Sequence, residues 1–151
     1  MWEYANNIIK KNKYVKLTKK EIENRFEKYN LLYFEGKVEK PSKFETFTPS
    51  KKILGLTRPI FNKKTFKYSA ALHISRRYNW TEENLCHVIV HEMIHLLIKD
   101  YLQPLKWWEK FFPFMLVQHD KRFKEIMNKL NETYHLNIKI RFPEMKNYFR
   151  F

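Results

Sequence analysis

Cysteine is almost absent from this chain. A single Cys86 in 151 residues can close no intrachain disulfide and cannot supply a cysteine-rich zinc ribbon. The fold must rest on packing, and a reducing compartment is the natural setting. Glycine is nearly as scarce, at two residues, so no glycine-rich phosphate loop is present. No stretch approaches the roughly 20 apolar residues that span a bilayer. The first residues, Met1-Trp2-Glu3-Tyr4-Ala5-Asn6-Asn7, lack the basic segment and apolar run of a secretory leader. Together these absences lead to the expectation of a cytoplasmic protein with no membrane association.

Negative charge is also in short supply. Thirty Lys plus Arg against 16 Asp plus Glu leave a formal charge of +14, which attracts nucleic acid, acidic membrane surface or acidic protein by long-range electrostatics. An A+T-rich genome, which favours lysine and asparagine codons, would produce the same excess with no selected polyanion surface. Hydrophobic residues at 44% and aromatics at 17% mark a packed chain, not a disordered one. The length is that of one domain, read as residues 1–151 with a core over about 18–132.

Several segments carry structural signals. Thr18-Lys19-Lys20-Glu21 is a capping-box pattern, and Ile22, Phe26, Tyr29 and Tyr33 follow at helical spacing up to Gly36, which predicts an amphipathic helix over 18–35. Between Phe44 and Ser75, Phe44–Thr48, Ile53–Thr57 and Tyr68–Ile74 are short β-favouring runs separated by Pro, Ser, Asn and Lys. They predict three strands, mainly antiparallel. Thr81 is a good N-cap and Glu82 and Glu83 suit the positive end of the helix dipole. The apolar run that follows, to about Lys99, predicts a helix whose apolar arc covers more than half its circumference, as a central core helix requires. Phe123, Ile126, Met127 and Leu130 predict another helix over 119–132, and the alternation of Leu136–Phe142 a last strand. The 101–118 segment, with Trp107, Trp108 and two prolines, reads as an aromatic connection, more often core filler than lid or partner surface. The class is α+β.

The chemistry concentrates on the central helix. His91-Glu92-Met93-Ile94-His95 places two imidazoles four residues apart, hence on one helical face, where both can reach one Zn²⁺; the glutamate between them projects from the flank, close enough to act as general base on water. Glu92 is the expected catalytic residue and His91 and His95 the expected ligands. A catalytic zinc keeps three protein ligands and an open position. On placement at the start of a helix, His119 is preferred as the third, with Glu109, Glu125 and His135 as alternatives. His87 and His73 read as structural histidines, and Cys86, on the apolar arc, as a buried thiol without chemistry.

Three pieces of the sequence resemble the SprT-like zinc metallopeptidases, a family that includes proteases degrading proteins crosslinked to DNA. Phe26–Val38, with its Tyr-Asn, Tyr-Phe and Gly pattern, resembles the family's opening helix. His91–His95 resembles its zinc motif, and His119-Asp120-Lys121-Arg122-Phe123 resembles its third-ligand motif. The resemblance implies a zincin-like single domain, a small sheet packed on the HExxH helix with flanking helices, zinc held by His91, His95 and His119, and Glu92 as the base for hydrolysis of protein substrates. Two departures stand out: Asp120 where relatives commonly have glycine, and a longer 101–118 connection. A zinc ribbon, which many relatives carry, is not to be expected with one cysteine, so DNA recruitment would fall to the basic surface. The competing reading is a nucleic-acid-binding module with structural zinc and little catalysis.

Overall fold

The computed structural model describes residues 14–48, 53–102 and 121–140. Within them lie helix α1 (Lys19–Phe34), strands β1 (Lys43–Phe47), β2 (Gly55–Asn62) and β3 (Lys67–Ser75), helix α2 (Glu82–Ile98), a 3₁₀ turn (Asp100–Leu102) and helix α3 (Lys121–Tyr134). This is an α+β arrangement. None of the described helices is long and apolar enough to cross a membrane.

Local chemistry sets the helix ends. The Thr18 hydroxyl accepts from the Glu21 amide at the start of α1, and the Thr81 hydroxyl accepts from the Asn84 amide at the start of α2, each satisfying a donor that the first turn leaves unpaired. α1 ends with Glu35 in the left-handed region, followed by Gly36 at φ +74, whose N–H donates to Asn30 O at 2.9 Å. The Asn30 amide clamps the departing chain by donating to Val38 O at 2.9 Å and accepting from Val38 N–H at 3.1 Å. Asn131 repeats this clamp on Ile138 at 2.9 and 2.8 Å.

The sheet order is β1-β3-β2, with β2 antiparallel and β1 parallel to β3. The expected mainly antiparallel sheet is thus corrected to a mixed one. Composition marks strands but carries no direction, and the chain enters β2 at the far edge so that the β2–β3 hairpin returns beside β1. β2 also runs past Pro59, which read as a separator. As an edge strand it tolerates a residue without an N–H, because one side of it has no partner to donate to. Leu136–Ile140 forms no strand; residues 141 and 142 of the predicted last strand lie outside the described residues. Its alternation instead serves packing, with Ile138 buried and held by Asn131.

α2 is the core's axis. Leu85, Ile89, Val90, Met93 and Ile94 have no exposed surface, and Ile22, Phe26, Leu72, Ile74 and Phe123 close around them from α1, β3 and α3. Each fully buried aliphatic side chain contributes about 1.5–3 kcal/mol. Arg25 links α1 to α2, donating to both carboxylate oxygens of Glu82 at 3.0 and 2.8 Å; its guanidinium holds the Glu82 carboxyl below the usual range.

Candidate metal centre

The four-residue spacing puts the two motif histidines on successive turns of α2. His91 and His95 stand one turn apart on α2 with ring centroids 5.2 Å from each other, and both are shielded, with 7% of His91 exposed and 12% of the His95 side chain. Their Nδ1 atoms are both engaged. His91 Nδ1–H donates to Lys139 O at 2.9 Å, and His95 Nδ1 lies 2.7 Å from Asp100 Oδ2. A carbonyl or carboxylate oxygen at Nδ1 selects the tautomer with the proton there and the lone pair on Nε2, the orientation usual for metal-ligating histidines.

Two devices set these partners in place. The Asn131 clamp fixes Ile138 and so presents the next carbonyl, Lys139 O, to His91. Lys99 ends α2 in the left-handed region at φ 55 and turns the chain so that Asp100, first residue of the 3₁₀ turn, folds back on His95. Sequence reading missed Asp100; an acid just past the helix end, five residues after a motif histidine, is the signal that could have found it.

Glu92 is buried with 6% exposed and meets β2. The Thr57 hydroxyl donates to Glu92 Oε2 at 2.7 Å. Burial pushes the carboxyl above its ordinary range, against the lowering effects of His95 and the Thr57 hydrogen bond. Gly55 makes the approach possible: a Cβ there would stand 3.1 Å from Val88 Cγ1, 3.2 Å from Glu92 Cγ and 3.4 Å from Glu92 Oε1. In the sequence Thr57 and Gly55 are only strand residues, because nothing there says which strand lies on the motif.

α3 closes the remaining side. The Phe123 ring packs 4.9 Å from His91 and 4.6 Å from His95, and Arg122 donates to Ile98 O at 2.7 Å, tying the start of α3 to the end of α2.

The sequence model of the SprT-like family matches residues 22–142, from α1 through α3. The chain belongs to the SprT-like family. That family is of zincin-like metallopeptidase type, which agrees with a helix bearing two shielded, Nδ1-anchored imidazoles beside a buried glutamate. No curated protein matches this SprT-like chain.

His119 and Glu109 lie outside the described residues, as do Asp120, Trp107 and Trp108. Glu125 is exposed and 3.9 Å from Lys121. His135 is exposed, in the left-handed conformation just beyond α3. Among the described residues no third His, Cys, Asp or Glu joins His91 and His95 in a group able to hold a metal. His87 is buried one turn before His91. His73 sits on β3, 5.3 Å from the Phe47 ring, its Nδ1 buried with no hydrogen-bond partner among the described residues. Burial pushes the Cys86 thiol up, against the Tyr29 and Tyr33 hydroxyls.

Proposed function

We propose that this chain is a zinc-dependent endopeptidase, with His91, His95 and His119 holding the metal and Glu92 as the general base. The observation that carries the reading is the pair of Nδ1 hydrogen bonds, from His91 to Lys139 O and between His95 and Asp100, which direct the ring lone pairs to Nε2 on one helical face. This donor set fits Zn²⁺, which takes neutral imidazoles whose other nitrogen is anchored by an oxygen. Support for His119 is indirect: Phe123, four residues later in the sequence, packs against both imidazoles, whereas Glu125 is exposed.

A zinc ion held there supplies a Lewis acid that polarises a scissile carbonyl and acidifies water. The chain's own residues manage the proton. Thr57 holds Glu92 by Oε2 and fixes the carboxylate rotamer. Glu92 accepts the proton of the attacking water as its oxygen bonds to the carbonyl carbon, then returns it to the departing nitrogen as the C–N bond breaks. A carboxyl whose burial raises its proton affinity is suited to both halves of that transfer.

Elemental analysis of purified variants tests the ligand set. One zinc per chain is expected in the wild type, a large loss in His119→Ala, and retention in Glu125→Ala. Loss in Glu125→Ala with retention in His119→Ala would move the third ligand to Glu125, and a wild type that takes up no zinc would remove the proposal.

A further inference from the structure

The tip of the β2–β3 hairpin presents side chains that neither the core nor the metal centre uses. Residues 61–68 are all exposed, and Phe61, Phe66 and Tyr68 keep 45%, 80% and 60% of their surface in water. Their rings form one cluster, with centroids 5.0 Å apart for Phe61 and Tyr68 and 6.2 Å for Phe61 and Phe66. Lys63, Lys64 and Lys67 interleave with the rings and form no ion pair among the described residues. Phe66 holds its ring outward from a left-handed backbone at φ 55, a conformation that glycine adopts without steric cost. The turn therefore does not ask for an aromatic at this position.

From the tip, the fold leads to the candidate metal centre. Gly55, Thr57, Pro59 and Phe61 alternate onto one face of β2, the face on which Thr57 meets Glu92. Across the hairpin Phe61 is paired with Tyr68, and Tyr68 shares a recess with Ala70, Lys99, Tyr101 and Leu102. Tyr101 and Leu102 belong to the same 3₁₀ turn as Asp100, the partner of His95. Along β2, Phe61 stands about 13 Å from Thr57 at ~3.3 Å per residue, a span that about four residues of extended polypeptide cover.

We propose that the hairpin tip is a docking surface for the substrate polypeptide, selecting an extended segment that mixes aromatic side chains with Asp or Glu about four to six residues from the scissile bond. That the bound polypeptide is a substrate rests on the peptidase reading. Aromatic side chains of the segment pack on Phe61, Phe66 and Tyr68, and its carboxylates meet the three lysines, whose charge has no partner among the described residues. The recess beyond Tyr68, walled by Ala70 and Leu102, suits an apolar side chain. An anionic bilayer fits less well, because Lys63 and Lys64 at the apex would enter the hydrocarbon ahead of Phe61 and Tyr68. Contacts made this far from the reacting bond are the same in the ground state and the transition state, so they lower KM and leave kcat to Glu92 and the metal.

The test uses the full chain carrying Glu92→Gln, so that binding is read without cleavage. The probe is a fluorescein-labelled Ser-Gly peptide with one Asp-Phe-Glu-Tyr block, about 12 residues long and so able at ~3.3 Å each to reach from the tip past Glu92. Anisotropy should show binding that weakens at least about threefold when serine replaces either the rings or the acids of the block. Phe66→Gly, added to this background, removes the ring while relaxing the turn; it should weaken binding about three- to tenfold with no fall in melting temperature. Lys63→Ala/Lys64→Ala should reduce the salt dependence of binding, and Lys20→Ala/Lys28→Ala on α1, which removes the same charge, should reduce it less. With Glu92 intact, Phe66→Gly should raise KM for a peptide carrying the block about four to six residues from the scissile bond more than it lowers kcat. No binding of the peptide, undiminished binding in Phe66→Gly, equal effects of the two lysine pairs, or Phe66-dependent capture of an oligothymidylate in place of the peptide would overturn the docking surface and leave the zinc and cleavage results standing. Phe66-dependent peptide binding by a chain that cleaves nothing would support the polypeptide surface and remove the peptidase reading instead.

Discussion

Glu92→Gln should hold zinc as the wild type does and lose peptide-bond hydrolysis by about 100- to 10,000-fold. Glutamine preserves the shape of the side chain and can still accept the Thr57 hydrogen bond, made in the wild type at 2.7 Å, so α2 and both imidazoles keep their places. What it cannot do is take a proton from water. Because Glu92 is 6% exposed, solvent offers no ready substitute base. The check is paired: zinc per chain by elemental analysis and the rate of cleavage of an unfolded protein, on the same preparations. Equal cleavage by mutant and wild type would place the base elsewhere, whereas bound zinc with no Glu92-dependent cleavage under any condition would favour a binding module with structural metal.

The second large effect is expected from Gly55→Val, a position that touches neither metal nor substrate in this account. Even the first carbon of the new side chain would meet Val88 at 3.1 Å and Glu92 Cγ at 3.2 Å, tighter than such contacts ordinarily are, so these neighbours would have to give by a few tenths of an ångström, and the valine methyls add to it. Either α2 shifts away from β2 or Glu92 leaves its rotamer. Overpacking of this kind destabilises by about 1–3 kcal/mol, and displacing a catalytic group by about 1 Å costs on the order of 100-fold in rate. Thermal melts, zinc content and kcat on the variant separate the two. The expected pattern is a lowered melting temperature and kcat with zinc retained. Wild-type kcat in a folded variant would mean that the β2 approach does not position Glu92.

The two halves of this site differ in how far sequence could disclose them. His91, Glu92 and His95 share one helix, and a helix fixes the relative direction of side chains four residues apart, so their grouping is visible in the sequence. The helix itself is written plainly by Thr81, the acidic first turn and the apolar arc through Leu85, Ile89 and Met93. The α1 boundaries are similarly legible from Thr18 and Gly36. Groups that come from elsewhere are hidden. Thr57 reaches Glu92 only because β2 is the edge strand beside α2, and Gly55 matters only because of that approach. Strand direction was hidden for the same reason: the residues of β1 look alike whether it runs with β3 or against it. Asp100 depends on a left-handed Lys99, a conformation that lysine rarely advertises. Lys139 contributes a carbonyl, which every residue has. The Leu136–Ile140 alternation predicts a strand because apolar residues alternating with polar ones look alike in a ladder and in a segment pinned by Asn131, where Ile138 alone is fully buried.

The most direct measurement is hydrolysis of an unfolded protein by the wild-type chain before chelation, after removal of metal, and after return of Zn²⁺. Cleavage that falls to background with chelator and recovers with zinc, at newly formed N-termini identified by mass spectrometry, is the predicted result. Cleavage indifferent to chelation, or none after zinc has been shown to bind at one per chain, would contradict a peptidase centred on His91, Glu92 and His95.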